Sequence, residues 1–215
     1  MDSNTTAGTL STVIVVNRRL YAFFIRQGGL EAFIWSFRPA ATPAPNPAPT
    51  QAPAAQSCPQ TNLPKISDGE IWDIEVVGDR VFVAGGFTSI QNQTANNKTI
   101  VSQARVASYN LTTGLVDTGF RPVFNGGVEA IEASPDGTKL YVAGSFSTVN
   151  GVTRRYIARI DPVTGATVTA FTANANAKAI ELAATNSTVY AGGRFSTVNG
   201  VNRGALAALD GTTGA

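Results

Sequence analysis

From Ile71 onward, apolar and β-branched residues come in short bursts separated by turn residues, and no 3.6-residue apolar period is sustained. Val128–Ala133 reads as a strand. Ser134-Pro135-Asp136-Gly137 reads as a turn, with proline presetting φ and glycine accepting a positive one. Lys139–Phe146 reads as a second strand, Asn150-Gly151 as a hairpin turn and Arg155–Asp161 as a third strand. Asp161-Pro162-Val163-Thr164-Gly165 closes that strand, and Ala166–Phe171 follows as a fourth. Short strands joined by tight turns, with almost no helix, predict an all-β fold.

The pattern repeats. Leu140–Ala166 and Val189–Ala215 align without a gap and share 15 of 27 residues, among them Asn150/Asn199, Gly151/Gly200 and both Asp…Thr-Gly turns. A looser copy starts at Val81 and closes at Asn110-Leu111-Thr112-Thr113-Gly114. Its extra residues fall in the polar stretch Gln91–Gln103, which predicts a longer loop in the first copy. A unit of about fifty residues that cannot bury its apolar face alone is the mark of a repeat array. Four antiparallel strands per unit match a β-propeller blade. The boundaries read as blade 1 over 66–127, blade 2 over 128–178 and an incomplete blade 3 over 179–215. Closed propellers hold about four to eight blades. Two and a half to three blades therefore read as a fragment of a closed one, with further repeats or modules expected downstream.

The first 65 residues follow another pattern. Over 1–38, apolar clusters at Leu10–Val16, Leu20–Ile25 and Ala32–Phe37 are interrupted by Arg18, Arg19, Arg26 and Glu31. That segment reads as a disordered N-terminal extension, or as a degenerate export signal or anchor. Residues 39–65 form a Pro/Ala/Thr-rich linker, the extended and semi-rigid kind.

Composition narrows the chemistry. There is no histidine, so the commonest general base and metal ligand are missing. The lone Cys58 forms no internal disulfide and no cysteine metal site. From Lys65 onward twelve basic residues meet twelve acidic ones, which leaves no basic footprint for nucleic acid. No run in the repeat region is long and apolar enough for a membrane span. Arg154, Arg155 and Arg159 read as a solvated strand face, and the glycine runs at 84–86 and 191–193 as close strand packing.

Ile71-Trp72-Asp73-Ile74, the Tyr-Val-Ala-Gly-Ser-Phe run at 141–146, Asn150-Gly151 and the Asp-x-x-Thr-Gly turns resemble a family of bacterial propeller repeats of unknown function, abundant in actinobacterial secreted proteins. Ser134–Val142 is similar, more distantly, to the YVTN-type surface propellers. The resemblance covers about 66–215. It implies an extracellular or cell-surface propeller and carries over no catalytic residue.

The candidate site is acidic. Aligning the first strands places Glu75 with Glu132 and Ala183, and Asp73 with Ala130 and Glu181. Side chains two apart share a strand face. In a propeller the first strand lines the central channel, so Asp73, Glu75, Glu132 and Glu181 form the speculative ligand-binding set. No organic cofactor is expected; Ca²⁺ is the cation that carboxylate oxygens would hold. The function read from the chain is a secreted or cell-surface binding or display module, not an enzyme, with a glycan or a protein as partner. The alternatives are a propeller lyase or glycosidase whose site lies in missing blades, and a purely structural scaffold.

Overall fold

A computed structural model of the protein describes the backbone of three N-terminal strands, and residues 62–66 and 68–215 in full. The chain divides into two units, 1–61 and 62–215.

In the first unit, β1 (Thr9–Val16), β2 (Arg19–Arg26) and β3 (Gly29–Ser36) form an antiparallel meander in the order β1-β2-β3. The apolar clusters, read as an extension without elements, fall mainly on these strands. Of the linker over 39–65, residues 39–61, with Cys58, lie outside the described residues.

The second unit is three copies of one assembly. Blade 1 holds β4 (Ile71–Val77), β5 (Arg80–Gly85), the ribbon β6 (Ile90–Gln91) and β7 (Ile100–Val101), and β8 (Val106–Asn110). Blade 2 holds β9 (Val128–Ala133), β10 (Leu140–Gly144), the ribbon β11 (Thr148–Val149) and β12 (Val152–Thr153), and β13 (Ile157–Ile160). Blade 3 holds β14 (Ala179–Ala184), β15 (Thr188–Gly193), the ribbon β16 (Thr197–Val198) and β17 (Val201–Asn202), and β18 (Leu206–Asp210). Every sheet is antiparallel with its second strand central: β4-β5-β8, β9-β10-β13 and β14-β15-β18. No helix occurs among the described residues.

Two expectations are corrected. The fourth strand at Ala166–Phe171 is reduced to one bridge, Thr167 to Ile160, as blade 1 has only Val116 to Tyr109. Pairing stops because the chain turns, with the Phe171 amide on the Val168 carbonyl, and drops Phe171 into the joint with blade 3. The Asn150-Gly151 hairpin does not link the second and third blade strands directly; it caps its own ribbon, β11–β12. Asn150 (φ 50°) and Gly151 (φ 77°) are both left-handed, as a type I′ turn needs. The long polar loop expected in blade 1 is the extension of the β6–β7 ribbon.

Alternation sets the packing. In each central strand one face looks back to the preceding neighbour and the other forward to the next blade. Phe82, Ala84 and Val106 of blade 1 enter one core with Leu140, Val142, Ala158 and Ile160 of blade 2. Ala130, Tyr141, Ala143 and Ile157 of blade 2 enter a second core with Val189, Ala191, Ala207 and Leu209 of blade 3. Each fully buried aliphatic or aromatic side chain there contributes about 1.5–3 kcal/mol. Aromatics repeat across the joints: Phe82 meets Phe120 edge-on at 5.2 Å, and Tyr141 meets Phe171 tilted at 5.6 Å.

Candidate functional site

The pairing register fixes the alignment of the candidate acids. Glu75, Glu132 and Ala183 stand opposite Phe82, Tyr141 and Tyr190, and Asp73, Ala130 and Glu181 opposite Ala84, Ala143 and Gly192. The first strand of every blade is also irregular at one place, Trp72, Glu129 and Ile180, where the register shifts as in a β-bulge.

The first strands β4, β9 and β14 lie side by side but belong to separate sheets, so each has an edge without ladder partners. Amides on such an edge must find acceptors. The carboxylates supply them. Asp73 accepts the Ile131 amide at 2.8 Å and, with its other oxygen, the amide of its own neighbour Ile74 at 2.8 Å. Glu75 lies beside the amides of Ala133 and Val76, which hold its ionisation range down against burial. Glu132 accepts the Ala184 amide at 3.2 Å. The rule is constant: an acid reaches the amide one position further along in the next blade. Glu181, which follows Asp73 in this series, is exposed on blade 3.

Burial leaves these carboxyls reluctant to ionise. Burial foremost, then the Glu132 charge, pushes Glu75 up to about 8. Burial also lifts Glu132 to about 7, with Asp73 and Glu181 adding to the rise against the Ala184 hydrogen bond. Asp73 is raised by burial, although two amide hydrogen bonds oppose it. All four candidate acids thus form one electrostatic community that spans two joints. Among the described residues no group of three or more His, Cys, Asp or Glu side chains could hold a metal ion. Asp73, Glu75 and Glu132 serve amides.

Three features escaped the sequence. Trp72 is 45% exposed, yet its six-membered ring sits where a Cβ on Gly86 or Gly127 would stand, within 3.0 and 2.7 Å of it. Its Nε1 donates to Glu70 at 3.0 Å. The equivalent bulge residue in blade 2, Glu129, pairs with Lys178, the residue just before β14. In blade 2, Arg154 is buried at 7% exposure and donates to the Thr153 and Thr169 carbonyls, which corrects the reading of a fully solvated basic face. Asn92, a nominal glycosylation acceptor, is buried and takes the Val116 amide at 2.8 Å. Only the Trp72 niche had a sequence signal, a tryptophan facing glycines two strands away, and it is invisible without the register.

Residues 135–166 match the model of a family described as a domain of unknown function (DUF5122) beta-propeller. The matched stretch runs from the β9–β10 turn through the turn after β13, the larger part of blade 2. The repeat is a β-propeller blade. No curated protein matches the chain. The three-stranded sheets, their ribbons and their shared joints are accordingly successive blades of a propeller of unknown function.

Proposed function

We propose that these blades form a non-catalytic binding module, displayed outside the cell, that takes a glycan through the joint of blades 1 and 2. The observation that carries this reading is Trp72. A half-exposed indole wedged against two glycine positions and tied by Nε1 to Glu70 is a rigid apolar plate. Sugar rings present flat C–H faces that lie well on such a plate. Glu70 keeps a second carboxylate oxygen for ligand hydroxyls, and the Ser145 hydroxyl borders the same niche. The resemblance to secreted bacterial repeats supports an extracellular or cell-surface setting. The candidate acids fit a frame rather than a catalyst, because they hold neighbouring blades together. The test is a glycan array with the wild-type chain and Trp72→Ala. Glycan signals lost in the variant support the reading. Signals unchanged by Trp72→Ala, or capture of proteins alone, overturn it.

A second reading rests on Glu75 and Glu132. Carboxyls raised to about 8 and about 7 hold protons near neutrality and could act as acids on a glycosidic bond. Hydrolysis of aryl glycosides that disappears in Glu75→Gln and Glu132→Gln would favour the enzyme.

A further inference from the structure

The Trp72 niche is one-sided in charge. The indole Nε1 donates to the Glu70 carboxylate at 3.0 Å, and Glu70 is in no ion pair among the described residues. Asp68, two residues earlier and exposed, accepts from the Thr88 and Ser89 hydroxyls; these bonds, Thr88 foremost, hold its ionisation below the usual carboxylate range. Between the two acids, a Cβ on Gly69 would stand 2.7 Å from the Phe87 Cα. The segment that bears both carboxylates is therefore pressed against the residue after Gly86, which the indole covers. The Arg105 guanidinium already has an acceptor there, the Gly86 carbonyl at 2.7 Å.

The second joint holds the complement. By register Glu129 stands where Trp72 stands, and Lys178, just before β14, stands where Gly127 stands before β9. There the Lys178 ammonium pairs with Glu129. In the first joint a glycine takes the place of that lysine, and the indole lies 2.7 Å from where its Cβ would be. The first joint thus keeps an acceptor surface and lacks the ammonium that the second supplies from within.

We propose that the Trp72 niche binds an amino sugar, with the sugar ring on the indole and its ammonium between the π face and the Glu70 carboxylate. This rests on the glycan reading above and names the class of sugar. A tryptophan face attracts a cation more strongly than the other aromatic side chains do. The charge-assisted bond from Nε1 to Glu70 polarises the indole and makes that face more negative. A free amine brings a positive charge to both partners, whereas an N-acetyl group brings a neutral amide. The Ser145 hydroxyl, 3.3 Å from the Cβ position of Gly127, is placed to meet a ring hydroxyl.

The experiment is calorimetric titration of the full chain at mildly acidic pH, where the amine is protonated. It compares short oligosaccharides of glucosamine with those of N-acetylglucosamine, which share the ring and differ in charge. The glucosamine oligosaccharide should bind about tenfold tighter, and added salt should narrow the gap. Glu70→Gln keeps an acceptor for Nε1, removes the charge, and should reduce the preference to about twofold or less. Trp72→Ala should abolish binding of both. Should that variant melt too low to titrate, Trp72→Phe serves, with weaker binding expected because a phenyl face attracts cations less. Equal, Trp72-dependent affinity for the two oligosaccharides overturns the proposal and leaves the wider glycan reading standing. Glucosamine binding that survives loss of the indole overturns it as well, as attraction to acids elsewhere. So does a short lysine peptide that binds as tightly as the amino sugar, which would make the ligand a protein. Binding of neither oligosaccharide also overturns it, and the glycan array then decides the wider reading by itself.

Discussion

The Tyr141 hydroxyl, buried in blade 2, donates to the Gly211 carbonyl of blade 3 at 2.7 Å, and a Cβ on Gly211 would stand 2.6 Å from that hydroxyl. The joint is therefore a lock between one phenol and one missing side chain. Arg159 approaches the same carbonyl at 3.4 Å, and in the preceding joint the Arg80 guanidinium fills the corresponding role by donating to the Pro162 carbonyl.

Tyr141→Phe should cost about 1 kcal/mol, the net worth of one buried hydrogen bond. Gly211→Ala should cost about 1–3 kcal/mol through overpacking. The double variant should lose less than the sum, because removing the hydroxyl makes room for the methyl. Urea denaturation of all four chains measures the coupling, and strict additivity would refute the lock.

Much of this frame was legible in the sequence. The repeat, the turns, Asn150-Gly151 and the alignment of Glu75 with Glu132 needed only the period and the alternation. The role of those acids did not follow, because it depends on which edge amides lie beside them, a property of neighbouring sheets. Trp72 was hidden for the same reason, since its partners Gly86 and Gly127 lie on other segments. The fourth strand was overcalled because Thr167 and Val168 have strand propensity, while the demand to seat Phe171 on Tyr141 ends the pairing.

Stability should peak at mildly acidic pH. Glu75 and Glu132 are raised in the folded state, so their contribution is full below the ordinary value of 4.5 and is lost as pH rises through about 7 and about 8. Asp161 and Asp210 are depressed, chiefly by the Thr164 and Thr213 amides, so their contribution is present above 3.8 and is lost as pH falls through their folded values. The melting temperature should be highest near pH 4–5, between the two windows. Glu75→Gln with Glu132→Gln keeps the acceptors, removes the charge, and should flatten the alkaline limb alone. At pH 8.5 the double variant should melt about 2–4 °C above wild type for each kcal/mol recovered. An unaltered alkaline limb would place the titration elsewhere.

Asn150 does two jobs in the β11–β12 turn. Its backbone is left-handed at φ 50°, its Oδ1 accepts the Val123 amide at 2.8 Å, and its Nδ2 donates to the Gly165 carbonyl at 2.9 Å. Asn199 repeats both bonds in blade 3, to the Asn174 amide and the Gly214 carbonyl. Asn150→Ala loses the tolerance of that conformation and both bonds, about 2 kcal/mol or more. Asn150→Asp keeps the conformation and the acceptor and should cost about half as much. Thermal melts of the two variants should rank Asp above Ala; the reverse order would mean that the turn conformation contributes little.

Trp72 joins blade 1 to blade 2 by occupying space that Gly127 leaves open, with the ring 2.7 Å from where a Cβ would stand. Gly127→Ala must push the indole out toward solvent and should destabilise the chain by about 1–3 kcal/mol. In a Trp35→Phe background, Trp72 is the sole tryptophan, so its emission should shift to the red in Gly127→Ala. Trp72→Ala by itself loses the packed ring. Combining it with Gly127→Ala should add almost nothing, since the new methyl then enters vacant space. If the double variant is instead as far below Trp72→Ala as Gly127→Ala is below wild type, the methyl clashes with backbone rather than with the indole. The plate on which a sugar would rest would then owe nothing to Gly127.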